Sequence, residues 1–396
     1  MGSPDAPAAD AATVWEYVTP GEYRVPSAPV DQTVKTGLAA FWRKLRPASA
    51  PSDQLLTSDT DVENLSDERL AGFVPPPAWD DAAAALDRAL NGWTDRPPAA
   101  SWAVLTLGHP HSGHDKVLRL WAGTRGWRLV REPDVPETLG EHGGWFDGLK
   151  GDGSPWVLPR LERCFLRHVH GLALVRALLS KVGSGELGRG IIGCDTWAWA
   201  FLRQQWRGQG FPMLVAQAFD TDRMAAWLAN LASAGGEAAF RQANSLRYVW
   251  PPAGVSDAPT SDYLRSLVLH SRGIPGVAWA TWRRSLVGVA RIPEAEPSTA
   301  LTTVLVRPWK ELHDLTVPAE GPHESGLILH ALLLHGGLPA DMLPLVLPLT
   351  EDEIAAGISR LEAAELVVRD GKRLEVSVVG YPAAREFVAG RSFVTD

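Results

Sequence analysis

The chain has 396 residues, with 38 Lys plus Arg against 46 Asp plus Glu and a net charge of −8; this sets a prior of roughly two or three domains around a large core and does not advertise a nucleic-acid partner. Its two cysteines, Cys164 and Cys194, are too few for a disulfide framework and fit a reducing compartment. MGSPDAPAAD lacks a basic-then-apolar secretory layout, and the densest apolar run, Leu327 to Leu338, is cut by His330 and His335, so a cytoplasmic protein with no transmembrane segment is expected.

Residues 1–72 are rich in Ala, Pro, Ser and Asp and read as a tail, mostly extended or disordered, with two islands, Val14 to Tyr23 and Val34 to Leu45. The second is a short amphipathic helix candidate in which Phe41 and Trp42 lie beside Arg43, Lys44 and Arg46. Such a segment docks on a protein partner or touches an anionic membrane surface, and the alternative is a helix folded back on its own domain. Seventeen tryptophans, mostly at helical or strand spacing, suit core and interface packing.

Pro75-Pro76-Pro77 marks a boundary, and Asp80 to Leu90 reads as a helix feeding an apolar strand, Trp102 to Leu107. GHPHSGHD follows, from Gly108 to Asp115, and then an amphipathic helix from Lys116. Set on G-x-x-x-x-G-K-[ST], Gly108 and Gly113 match, while His114 stands at the lysine position and Asp115 at the hydroxyl position. In an intact loop the backbone N–H groups cradle phosphates, the lysine neutralises them and the hydroxyl holds magnesium. Gly108, His109, Pro110, His111, Ser112, Gly113, His114 and Asp115 are thus candidates to wrap the phosphates of ATP or ADP. A partly protonated histidine and a carboxylate at the mouth weaken that chemistry and argue against magnesium. The bland alternative is a plain strand-to-helix loop. His109, His111 and His114 also spell H-x-H-x-x-H, but the loop reading covers the same residues and no metal site is assigned.

Further strands read at Trp127 to Arg131, Trp156 to Leu158, Gly190 to Cys194 and Met213 to Ala218. A helix reads at Leu161 to Val182, which puts His168 and His170 on nearly opposite faces. Alternating strands and helices imply a mostly parallel sheet with helices on its faces, and a ligand site beyond the strands' carboxyl ends, where the Gly108 loop lies. After Phe219 helices alone are expected, at Asp222 to Ala234, near Ala238 to Tyr248, and at Asp262 to Leu286; Thr302 to Leu315 links them to a last unit. There Leu327 to Leu334 and Ala340 to Val346 read as helices, and Thr350 with Glu353 forms a capping box opening a third with core positions Ile354, Ile358 and Leu361. A hairpin turning at Asp370-Gly371 completes a winged helix.

This order of elements resembles the AAA+ and STAND-type ATPases, the Orc/Cdc6-like branch in particular, over about 80 to 396. The resemblance implies an α/β fold: a degenerate P-loop parallel-sheet core over 73–218, a helical lid and connector over 219–317 and a winged-helix domain over 318–396. It also implies a polar sensor at Asp195, at the end of GIIGCD, and a lid arginine at Arg272 in HSRGIPGVAW. The strand at Trp156 to Leu158 would carry the metal-binding and catalytic acids, but WVLPRLER has no Asp-Glu pair and Glu162 is displaced. Each has a plain alternative: Asp195 as a helix cap, Arg272 as an ion-pair partner, Glu162 favoured in a first helical turn. With lysine, hydroxyl and acid pair all altered, the expected protein is a regulator or scaffold with a hydrolysis-deficient core, acting through protein contacts of its tail, lid and winged helix. The rival readings are an active ATPase with a non-standard loop and a DNA-binding regulator. Against DNA, residues 318–396 carry six Lys plus Arg and twelve Asp plus Glu, and only Arg369, Lys372 and Arg373 give the wing a basic spot. Neither the partner nor the oligomeric state is legible.

Overall fold

The computed structural model describes residues 14–26, 62–64, 67–94, 102–140, 143–206, 210–234, 238–251, 260–290 and 302–391. The Val34 to Leu45 segment, with Phe41, Trp42 and Arg43, lies outside them.

Two short strands, β1 (Tyr17–Val18) and β2 (Val62–Asn64), and two helices, α1 (Asp67–Phe73) and α2 (Asp80–Thr94), precede the core. Strand β3 (Ala103–Gly108), helix α3 (His114–Arg125), β4 (Arg128–Leu129), α4 (Val135–Leu139), α5 (Gly143–Lys150), β5 (Trp156–Leu158), α6 (Ala173–Gly183), β6 (Gly190–Asp195), α7 (Thr196–Gln205) and β7 (Met213–Ala216) then build it. The sheet runs β1-β7-β3-β6-β5-β4, parallel throughout except for β1 against β7. Strands β3 and β6 are buried at every position because both faces are covered. Val104 and Ile191 face α2 and α3, whereas Ala103, Leu105 and Ile192 face α6 and α7. Asp87 of α2 ties the first layer to α3, accepting from Trp121 Nε1 at 2.9 Å and pairing with Arg125 at 2.6 Å.

The Val14 to Tyr23 island, placed by composition in an extended tail, is stitched into this core. Its β1 covers the open edge of β7, and Trp15, 5% exposed, packs its ring on Trp79 and Phe219 at 5.7 and 4.8 Å. Pairing an edge strand and burying an indole offset the low apolar content around them. The helix read at Leu161 to Val182 is likewise interrupted. A single 3-10 turn at Leu161–Arg163 and a tight turn through Gly171 precede α6, and a Cβ on Gly171 would meet the Leu166 carbonyl at 2.5 Å. His168 and His170 therefore sit in a turn, their rings 5.7 Å apart, and not on opposite helix faces.

After Phe219 the chain is not helical alone. It forms α8 (Thr221–Ala234), β8 (Ala238–Gln242), α9 (Tyr263–Ser271), α10 (Pro275–Ser285), β9 (Leu286–Ala290) and β10 (Thr302–Val306). The strands assemble with β2 into a second sheet, β2-β9-β10-β8. In β9 buried and half-buried residues alternate with period two, a signal too short to separate from the helix before it. The long helix read at Asp262 to Leu286 breaks at Arg272 and Gly273, both at positive φ, and restarts at Pro275.

The last unit contains α11 (Pro322–Leu334), β11 (Leu338–Pro339), α12 (Leu343–Val346), α13 (Glu351–Ala363), β12 (Val367–Asp370), β13 (Arg373–Val376) and α14 (Tyr381–Ala389). The Thr350/Glu353 capping box forms, Gly371 takes the turn at φ 59°, and β11 adds a third strand in the order β11-β13-β12. Helix α11 is apolar nearly all round because it is wedged between this unit and the first sheet, with Leu334 reaching the core under β5 and β6. Among the described residues no helix is long and apolar enough to cross a membrane.

Candidate functional site

The register of the first sheet brings the site together: Gly108 at the end of β3 pairs with Asp195 at the end of β6, and β5 stops beside Ile192, which sends Arg160 and Glu162 into the same corner. Between Gly108 and α3 the loop turns on two left-handed residues, His111 at φ 63° and Gly113 at φ 77°. The Trp79 ring lies where a Cβ on Gly113 would be, 2.4 Å away, so only glycine admits both the backbone angle and the indole. Three elements clasp the loop. Trp79 covers Gly113, Gly276 of α10 approaches so closely that its Cβ would meet the His111 carbonyl at 2.1 Å, and Tyr381 of α14 meets the His111 ring edge-on at 5.5 Å. His109 contacts the Tyr23 hydroxyl through Nε2 at 2.9 Å and the Thr196 hydroxyl through Nδ1 at 3.2 Å. The three loop histidines thus face different partners and do not converge.

His114, at the lysine position, folds back over Gly108, where a Cβ would lie 2.4 Å from its ring. Its Nε2 is directed at the fully buried carboxylate of Glu162, 3.8 Å away, too far for a hydrogen bond but close for a charge in a dry site. Arg160 Nε donates to Glu162 Oε1 at 3.0 Å, and the Asp195 backbone N–H donates to Oε2 at 3.1 Å. Burial alone lowers the His114 pKa, but Glu162, with Asp115 and Asp195 nearby, outweighs it and raises the imidazole above its ordinary value. Burial correspondingly raises the Glu162 carboxyl, and His114 with Arg160 overrides that and holds it well below the usual carboxylate range. A buried His–Glu–Arg cluster therefore stands where the resemblance sets the loop lysine, with Glu162 displaced past the strand that would carry the acids.

A cavity of about 440 Å³ opens in front of this cluster. Of the residues read from sequence, Pro110, His111, Gly113, His114, Asp115 and Asp195 line it. Gly108, His109 and Ser112 stand behind the wall as loop structure, Ser112 Oγ lying 3.4 Å from His114 Nδ1. Asp195 caps α7, its side chain accepting from Trp197 N at 2.9 Å, and serves the cavity from that position. Arg272 does not line the cavity: it is the left-handed C-cap of α9 at φ 55°, and Gly276 and Trp279 of α10 carry that side of the wall. Sequence reasoning missed Arg160, although it stands in WVLPRLER, and missed the contribution of the last unit, Gly336, Gly337, Glu375 and Val376. The Gly336-Gly337 pair was the available signal. Both have positive φ, and a Cβ on Gly336 would meet Glu162 Cγ at 2.8 Å. Arg163 fastens that unit down, pairing with Glu132 at 3.2 Å and Glu375 at 2.8 Å and donating to the Gly336 carbonyl. The wall is mixed in charge, with Lys116, Arg160 and His114 against Asp115, Asp195, Asp370 and Glu375.

The sequence matches no protein-family model and no curated protein. Among solved structures, the chain is similar to a Walker-type ATPase of Pyrococcus abyssi, at 13% identity over 79% of this chain and 99% of that one, with a TM-score of 0.36. It is also similar to Cdc6p from Pyrobaculum aerophilum, at 12% identity over 83% of this chain and 99% of that one, with a TM-score of 0.32.

Proposed function

We propose that this chain is a regulatory or scaffold protein whose AAA+-like core does not turn over ATP and which acts through protein contacts. The observation that carries this reading is His114 at the lysine position, engaged by the buried Glu162. A phosphoryl-transfer site needs a cation committed to the phosphates and a residue free to orient the nucleophile. His114 is turned to an internal partner, and the buried Glu162 is already engaged by Arg160 Nε and the Asp195 N–H. Asp115 adds a negative charge to the cavity wall where a hydroxyl would hold magnesium.

The C-terminal unit, read as a winged helix, is fitted for protein and not for DNA. Glu351, Asp352 and Glu353 are exposed on α13, the helix that would enter a groove. In the wing, Arg369 pairs with Glu362 at 2.7 Å and Arg373 donates to the Gly337 carbonyl, so two of the three wing cations are spent internally. DNA binding driven by phosphate neutralisation needs several cations on one face.

Phosphate release from millimolar magnesium-ATP by the purified protein tests the core reading. The expected result is no release above the buffer control, unchanged by Arg272→Ala. Turnover that Arg272→Ala reduces would establish an active ATPase with an unusual loop instead.

A further inference from the structure

We propose that Glu162 is the resident anion of the phosphate loop: its carboxylate holds, from within the chain, the donors that a phosphoryl group would otherwise hold. The inference rests on the reading of the core as non-hydrolysing and supplies its physical cause. Two hydrogen-bond donors and one imidazole, from three segments, converge on one side chain. His114 comes from the first turn of α3 at 3.8 Å, Arg160 Nε from the end of β5 at 3.0 Å, and the Asp195 N–H from the end of β6 at 3.1 Å. In a phosphate loop, backbone N–H groups at a helix N-terminus and a neighbouring cation converge on a bound anion; here the side chains of His114 and Arg160 and one N–H at the start of α7 converge on Glu162. Here the anion is covalently part of the protein, so its effective concentration far exceeds that of any free ligand.

The last unit seals the arrangement. Gly336 sits against the Glu162 side chain, and its own carbonyl accepts from both Arg160 and Arg163 at 3.3 Å. Arg160 and His114 still line the cavity, but both are turned to Glu162 behind them, whose single negative charge is shared between them. A diphosphate entering the cavity meets Lys116 and two cations already turned to Glu162, against Asp115, Asp195, Asp370 and Glu375. Phosphate chains are therefore refused because the loop is already filled, and restoring its lysine is not enough to admit them.

The test is calorimetric titration with inorganic pyrophosphate, free of magnesium, of four proteins: wild type, His114→Lys, Glu162→Gln and the double variant. Wild type and His114→Lys are expected to give no binding at millimolar pyrophosphate. Glu162→Gln keeps an acceptor for the Asp195 N–H but removes the charge, and it is expected to bind at least roughly tenfold tighter than wild type, with the double variant tighter still. Wild-type binding as tight as that of Glu162→Gln overturns the proposal, as does a folded Glu162→Gln protein that binds no better. If Glu162→Gln fails to fold by circular dichroism, His114→Lys decides: tight pyrophosphate binding by that single variant shows that Glu162 does not fill the loop, and continued refusal supports it. Magnesium-ATP turnover by wild type would instead strike the non-hydrolysing reading itself, a separate result from any of these titrations.

Discussion

Trp197→Ala is expected to destabilise the protein by about 3–5 kcal/mol, the usual cost of emptying a fully buried aromatic site. Trp197 is 0% exposed and stands at the start of α7, yet it packs in the cluster formed by the C-terminal unit, with Ile328, Leu332 and Tyr381. Its Nε1 donates to the Tyr381 hydroxyl at 3.3 Å, and its ring meets His330 edge-on at 6.3 Å. Tyr381 in turn packs on His111 of the loop. One side chain therefore links the sheet, the last unit and the loop. The loss is larger than for a residue serving one layer because the cavity opens at a junction. Urea unfolding measures it, and limited proteolysis reports where it acts, with early cleavage near residues 316–322 expected when the last unit loosens. Trp197→Phe is the control: it keeps most of the packing and loses one hydrogen bond, for about 1 kcal/mol. A drop for Trp197→Ala no larger than for Trp197→Phe would mean that the junction repacks and the link is not there.

The same junction explains what was legible in the sequence and what was not. Strands β3, β5 and β6 were readable because a doubly covered strand is a continuous apolar run, and the loop because its two glycines sit at a fixed offset between strand and helix. Strands β8, β9 and β10 were not: each is five residues long, and the pairing that makes them strands joins segments far apart in the chain. Asp195 was readable because a cap before a helix is a local pattern. Arg160, Gly276 and Gly336 were not, since each matters through what lies opposite it, and a close approach to His111 or Glu162 leaves no periodic trace. Arg272 lies off the cavity wall for the complementary reason. Its neighbours Ser271 and Gly273 announce a helix end, and the arginine closes that helix in the left-handed conformation while Gly276, four residues on, makes the contact with the loop.

Stability is expected to fall as pH drops from about 6.5 towards 4, earlier than carboxylate titration alone would bring it down. The cause lies between α11 and the turn after β5. His335 is 1% exposed; its Nε2 accepts from Arg167 N at 3.4 Å and its ring lies 4.9 Å from Phe165. Beside it His330, 3% exposed, meets Arg167 Nη1 through Nδ1 at 3.4 Å. Burial above all, and then Arg167, His330 and Arg373, push the His335 pKa down to about 3. The unfolded chain, with an ordinary histidine near 6.5, takes up the proton first, so folding is fully favoured above that value and progressively penalised below it. At about pH 4.5 this one residue costs about 3 kcal/mol. His111, half-buried and pushed down to about 4 by burial and then Arg160, works in the same direction. His114 works in the opposite one: its raised pKa contributes stability at low pH that is lost as pH rises through its folded value. With His111, His335 and the half-buried His270 all depressed against His114 alone raised, the net slope is loss on acidification. His335→Gln keeps an acceptor for the Arg167 N–H and does not titrate, so its thermal midpoint should vary less between about pH 6.5 and 4.5 than that of the wild type. Parallel curves for the two proteins would show that the proton goes elsewhere and that this interface is indifferent to it.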